Sequence, residues 1–242
     1  MTLLQNPSSE CADCGLCWRA KGGLQPDVEG DVDRIIREVV RRLDEDDAGI
    51  ATVPVGVSAR HCHLNVEAMD ALFGSGSEQT PMRDLYQPGA FAAEQSVSVV
   101  GPRMRAIERV RILGPARDYN QVELARTDAI YLGVDPPVRD SGDLDGAVAI
   151  TFIGPRGAVT ADAAIRATRH IHMRPSDLEA ADLEPHHRVN VRVGGEKGLI
   201  YHNVRLKVAP DFLPELHLDT DDANAADLVC GDTVSIERSE QV

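Results

Sequence analysis

The chain has 242 residues and a formal net charge of −14, from 25 Lys+Arg against 39 Asp+Glu, and 43% of its residues are hydrophobic. That is enough chain for one large domain or two small ones, and the acidic balance argues against nucleic acid or an anionic membrane as the main partner, since both select a basic face. No apolar run approaches the ~20 residues that cross a bilayer, Met1 to Pro7 carry no secretory signal, and five cysteines, three of them crowded at 11, 14 and 17, do not make a disulfide framework, so a soluble intracellular protein is expected.

Residues 1–30 are rich in Gly, Pro, Ser and Cys without periodicity and read as a loosely tethered segment. Cys11, Cys14 and Cys17 have a spacing that can hold zinc or part of an iron–sulfur cluster, but no fourth cysteine lies near, which favours a redox-sensitive or adventitious metal-binding tail. From Asp31 to Leu43, Val28, Val32, Ile35, Ile36, Val39, Val40 and Leu43 recur at the spacing of one helical face, with Arg and Asp opposite. This amphipathic helix either packs on the protein's own core or docks onto another protein, and linkers on both sides favour docking. Residues 1–50 are thus expected to be a flexible extension carrying one helix.

From Val53 onward the pattern changes to short β-type runs: Val53–Ser58, Val97–Val100, Arg109–Leu113, Ile130–Val134, Ala147–Ile153, Val189–Val193, Leu199–Val208 and Thr233–Glu237. Gly, Pro and Asp punctuate them, and no strand–long helix alternation occurs. The expected class is mainly β, with small barrels or sandwiches and short helices, rather than a doubly wound α/β sheet. Three short helices are predicted at Val66–Phe73, Asp177–Leu183 and Asp221–Leu228, the second with a Ser176/Glu179 capping box and the third capped by Thr220.

An internal repeat organises this part. Ser58-Ala-Arg-His-Cys-His-Leu64 and Ala167-Thr-Arg-His-Ile-His-Met173 share Arg-His-x-His-apolar, 109 residues apart. Duplication predicts two similar β-domains, 51–150 and 151–242, meeting face to face. His-x-His on an extended segment puts both imidazoles on one face about 6–7 Å apart, so that they can share a metal ion. Two such pairs in matched contexts favour metal over satisfied core histidines. Candidate third ligands are Glu123, which alternates onto one face with Gln121, and His217. His186, His187 and His202 read as surface residues, and Cys62, between His61 and His63, reads as core.

Only Lys21, Lys197 and Lys207 are lysines; the other basic residues are Arg, and Arg103, Arg105, Arg109, Arg111 and Arg117 crowd into one stretch. Such a basic strip on an acidic chain can hold an anionic ligand. Arg117 follows Leu113-Gly-Pro-Ala116, a turn that aims its guanidinium at a fixed point; phosphate and a surface ion pair with Asp118 or Glu123 are equal readings there. No nucleophile elbow, phosphate-binding P-loop or dinucleotide fingerprint is present.

Val57–Leu64, Val110–Arg117 with Gln121-Val-Glu123, Arg169–Met173 and Leu216–Asn224, four motifs in order between Val53 and Glu237, resemble the phosphate propanoyltransferase family, phosphotransacylases of bacterial microcompartments such as those of propanediol degradation. The resemblance implies two β-barrel domains around a dimetal site, normally zinc with two ions per chain (Co2+ or Ni2+ as alternatives), that interconverts acyl-CoA plus phosphate with acyl phosphate plus CoA. By motif, His61, His63 and Glu123 are implied to hold one ion, His170, His172 and His217 the second, and Arg117 to bind phosphate as the catalytic residue. Ser58, Ala59, Arg60, Arg111 and Asn224 are implied to line the CoA site. An extra residue within 101–110 leaves a further basic CoA position to Arg103 or its neighbour. The helix at 31–43 looks like a targeting helix, implying shell or cargo proteins as partners and a location in the microcompartment lumen; a homo-oligomer is compatible with all of this. Two other classes compete: a zinc-dependent thioester hydrolase using the same histidines, and a non-catalytic scaffold acting through the helix.

Overall fold

The structure, a computed structural model, describes residues 32–37 and 50–238. Two units separate in it, Met1–Asp47 and Ala48–Val242. Of the first, residues 32–37 are helical (α1), with Val32, Ile35 and Ile36 exposed. The rest of the expected helix and the three cysteines lie outside the described residues.

The second unit is mainly β and contains two closed six-stranded barrels. The strands are β1 (Ala51–Ser58), β2 (His61–His63), β3 (Pro81–Asp84), β4 (Phe91–Val100), β5 (Ala106–Gly114), β6 (Gln121–Glu123), β7 (Val138–Arg139), β8 (Val148–Ile153), β9 (Ala158–Ala167), β10 (His170–Met173), β11 (Arg188–Val193), β12 (Leu199–Val208), β13 (Glu215–Asp219) and β14 (Thr233–Arg238). The helices are α2 (Val66–Phe73), α3 (Arg126–Leu132), α4 (Pro175–Ala180) and α5 (Thr220–Ala225). In one barrel β2 lies between β5, parallel, and β6, antiparallel; β6 runs parallel to β9, and β8 and β4 complete the ring. In the other, β10 lies between β12, parallel, and β13, antiparallel; β13 runs parallel to β1, and β14 and β11 complete the ring. Every pairing in one barrel has its counterpart of the same sense in the other.

The barrels are therefore equivalent in connectivity, but they are not the sequence halves 51–150 and 151–242. β1 closes the barrel otherwise made of β10–β14, and the boundary near 150 falls inside β8, whose barrel also takes β9. The exchange follows from side-chain burial. Val53 and Val55 of β1 are buried in one core with Ile171, Leu216 and Ile236, whereas Ala163 and Ala164 of β9 are buried in the other with Ile112, Val122 and Phe152.

Three local expectations are corrected. Ile130–Val134 is not a strand: residues 126–132 form α3, burying Ala129 and Leu132 one turn apart, and Gly133, at φ 78° in the left-handed region, accepts the helix end. Helix α4 is not capped by Ser176; Arg174 takes the N-cap position, its backbone N–H donating to the Asp177 carboxylate at 2.9 Å, with Pro175 opening the helix. Helix α5 is capped by Asp219, which accepts from the N–H groups of Asp221 and Asp222 at 2.9 Å, so Thr220 lies within the helix.

Candidate metal and anion site

Both His-x-His motifs are short central strands, β2 and β10, held by neighbours on either side. Register pairing sets His61 opposite Glu123 and His63 opposite Gln121, and it sets His170 opposite His217 and His172 opposite Glu215. Two clusters result: His61, His63 and Glu123, and His170, His172 and His217, with the ligand atoms of each within 4.8 Å of one another. Ring centroids lie 5.3 Å apart for His61 and His63, 4.9 Å for His170 and His172, and 4.4 Å for His172 and His217.

The backbone orients these rings. His61 Nδ1 meets the Ala59 carbonyl at 3.0 Å, His170 Nδ1 the matching Thr168 carbonyl at 2.7 Å, and His63 Nδ1 the Leu113 carbonyl at 3.1 Å. Donation from Nδ1 leaves Nε2 as the lone-pair atom facing the cluster. His172 departs from the pattern, stacking on Phe212 at 4.1 Å. Burial, reinforced by His61, lowers His63 to about 4, and burial, reinforced by His217 and Lys207, lowers His172 to about 3. His170 is likewise held well below its ordinary value, by burial first and then Lys207. Burial disfavours ionisation of Glu123, but His61 and His63 outweigh it and keep the carboxyl below its usual range.

The donor atoms fit a metal ion. His172 Nδ1 is buried without a hydrogen-bond partner, a costly state for a polar atom unless it has another use. Neutral imidazoles with one or no carboxylate are a zinc-type donor set.

Lys207 of β12, half-buried, acts electrostatically on Glu123 of one cluster and on His170 and His172 of the other. Burial lowers its ammonium pKa, opposed by Asp140 and Glu123. Arg117 is exposed, follows the cis Gly114–Pro115 peptide and is anchored by its backbone N–H to the Leu64 carbonyl at 3.2 Å. Its charge bears on His63, and it forms no ion pair with Asp118 or Glu123 among the described residues. The equivalent loop in the other barrel, between β12 and β13, has the same length, so that Asp211 stands four residues before Glu215 as Arg117 stands four before Gln121.

The remaining sequence candidates are distributed around these clusters. Ser58 ends β1 and pairs with Asp219, while Asn224 lies exposed on α5. Ala59 supplies the carbonyl for His61, and Arg60 pairs with Asp128 at 2.8 Å. Arg111 sits opposite His61 and donates to the carbonyls of Ala93 and Glu94. Arg103 packs over Gly133 at the end of α3. His186 and His202 are exposed and His187 half-buried; Cys62 is fully buried, which pushes its thiol pKa up. Gln121 donates to Glu123 at 2.8 Å and to Ser141 at 2.8 Å. The sequence reading missed Ser141, Glu215 and Lys207 as site residues; only the scarcity of lysine hinted at Lys207.

A model of the phosphate propanoyltransferase family matches residues 54–229. The chain is 45% identical over 211 residues to the phosphate propanoyltransferase of Lachnoclostridium phytofermentans, covering 86% of this chain and 99% of that one. It is 49% identical over 203 residues to that of Thermotoga maritima (83% and 94% covered), and 46% identical over 203 residues to that of Priestia megaterium (84% and 93%).

Proposed function

The chain belongs to the phosphate propanoyltransferase family and is an acyltransferase that uses phosphate, and from that premise we propose that it interconverts a short acyl-CoA, propanoyl-CoA or acetyl-CoA, plus phosphate with an acyl phosphate plus CoA at the two clusters. The observation that carries this reading is the matched pair of buried clusters, with an unpartnered nitrogen, His172 Nδ1, in one of them and an unpaired guanidinium, Arg117, beside the other. His61, His63 and Glu123 would hold one zinc ion and His170, His172 and His217 a second, with Co2+ or Ni2+ as substitutes. Such ions supply Lewis acidity, stabilising a thiolate and polarising a carbonyl.

The chain's own residues do the rest. A phosphate oxygen forms a bond to the thioester carbonyl carbon, the C–S bond breaks, and the sulfur leaves as thiolate, with no covalent enzyme intermediate. Arg117 binds the phosphate through its fork of N–H donors and offsets the repulsion between phosphate and CoA. Half-buried Lys207 lies in the field of Asp140 and Glu123, which favour its charged form against the cost of burial. Ser58, Ala59, Arg60, Arg111 and Asn224 border the CoA. The exposed Val32, Ile35 and Ile36 of α1 support docking to microcompartment shell or cargo proteins, and hence a place in the lumen.

The test is thiol release from propanoyl-CoA with and without phosphate. Release that requires phosphate and stops after chelation is expected; phosphate-independent release would make the chain a hydrolase, and no release from metal-replete protein a scaffold. Arg117→Ala is expected to cut kcat/KM for phosphate by about 100-fold or more while the melting temperature stays unchanged, because the side chain is exposed and unpaired.

A further inference from the structure

Glu215 is buried beside the second cluster, and the transfer chemistry above gives it no task. Its Oε2 lies 2.8 Å from His217 Nε2, yet that nitrogen makes no hydrogen bond of acceptable angle, so the contact is one of charge and position. The same oxygen accepts from Gln87 Nε2 at 3.1 Å. Gln87 is itself fixed: its amide donates to the Leu213 carbonyl at 3.0 Å and accepts from the Leu213 N–H at 3.1 Å. Behind the carboxylate stands Gly56 of β1, where a Cβ would lie 2.4 Å from Glu215 Oε1. Gln87, on the loop between β3 and β4, and the space left by Gly56 on β1 thus hold this carboxylate in place.

A buried carboxylate without a Lys or Arg partner is expensive unless a cation stands near. In the first cluster the anion is a ligand, Glu123, braced by Gln121 two residues earlier. The second cluster has three imidazoles and no anion among its ligand atoms, but Glu215 occupies the register position equivalent to Gln121. We infer that Glu215, held by Gln87 and Gly56, is the positioning residue of the second centre: it fixes the His217 ring and supplies the negative charge that the three neutral imidazoles lack. This rests on the proposal that those histidines hold a metal ion.

The experiment measures metal per chain in the full-length protein after equilibration with a competing chelator, together with the visible absorption of the Co2+-loaded form. Wild type is expected to hold two ions. Glu215→Gln, which removes the charge and keeps the shape, is expected to weaken one of the two by about 10- to 100-fold and to alter the cobalt band, leaving the other ion untouched. Gly56→Ala is expected to do the same with no change of charge or ligand, because the backbone there accepts alanine and only the end of a flexible side chain has to move. Circular dichroism checks that each variant folds. Two tightly held ions and an unchanged cobalt band in both folded variants would overturn the role of Glu215 alone; a wild type that holds no ion would overturn the metal reading, and this inference with it.

Discussion

His63 and His172 show how a single side chain ties metal binding to stability. In the folded chain burial lowers them to about 4 and about 3, against an ordinary value of 6.5. Between those values the unfolded chain holds more protons, so stability falls as pH drops below 6.5 and goes on falling until the folded-state values are passed. The depressed carboxyl of Glu123 acts in the same direction at lower pH, while Asp219 and Asp222, raised by burial, offset part of the loss there. Metal-free protein is therefore expected to melt progressively lower from pH 7 to pH 5; a flat profile over that range would mean the imidazoles are already protonated in the fold. The two histidine pairs were legible in the sequence because the repeated Arg-His-x-His is a local signal, while Glu123 and His217 entered only as candidate third ligands, one from strand alternation and one from its place before a helix. Glu215, Gln87 and Lys207 were not legible, since their places depend on strand register and burial between segments far apart in the chain.

At the level of elements, the strands carrying alternating apolar residues were legible, as were the extents of β1, β8, β11, β12 and β14 to within a few residues. Ala-rich β9 was not, because Ala163 and Ala164 have little intrinsic strand preference and owe their conformation to the barrel that buries them. Ile130-Tyr131-Leu132 misled in the opposite sense: its β-type composition yields to a helix with one buried face and a glycine stop. Helix ends also dock on strands through glycines that have no room for a side chain. A Cβ on Gly101 would lie 2.1 Å from the Leu132 carbonyl oxygen, and one on Gly154 2.5 Å from that of Leu72. Since backbone and not a flexible tip is in the way, Gly101→Ala is expected to cost about 2–3 kcal/mol in chemical denaturation. A loss within about 0.5 kcal/mol would mean that α3 sits more loosely than its contacts indicate.

For the whole molecule, the two barrels exchange closing strands between the sequence halves, and each barrel carries one of the two candidate metal clusters in an otherwise acidic chain. Ligands that bind only the folded state stabilise it by mass action. Removing metal from the loaded protein is expected to lower its melting temperature by about 5 °C or more, with recovery on adding Zn2+; an unchanged transition would place the ions outside the cores.

The matching loops that carry Arg117 in one barrel and Asp211 in the other give this near-symmetric frame a direction. The two loops share one length, and at a single matched position one carries a guanidinium and the other a carboxylate. On the proposed function, the sign of that one charge would draw phosphate toward the Arg117 loop and away from the Asp211 loop.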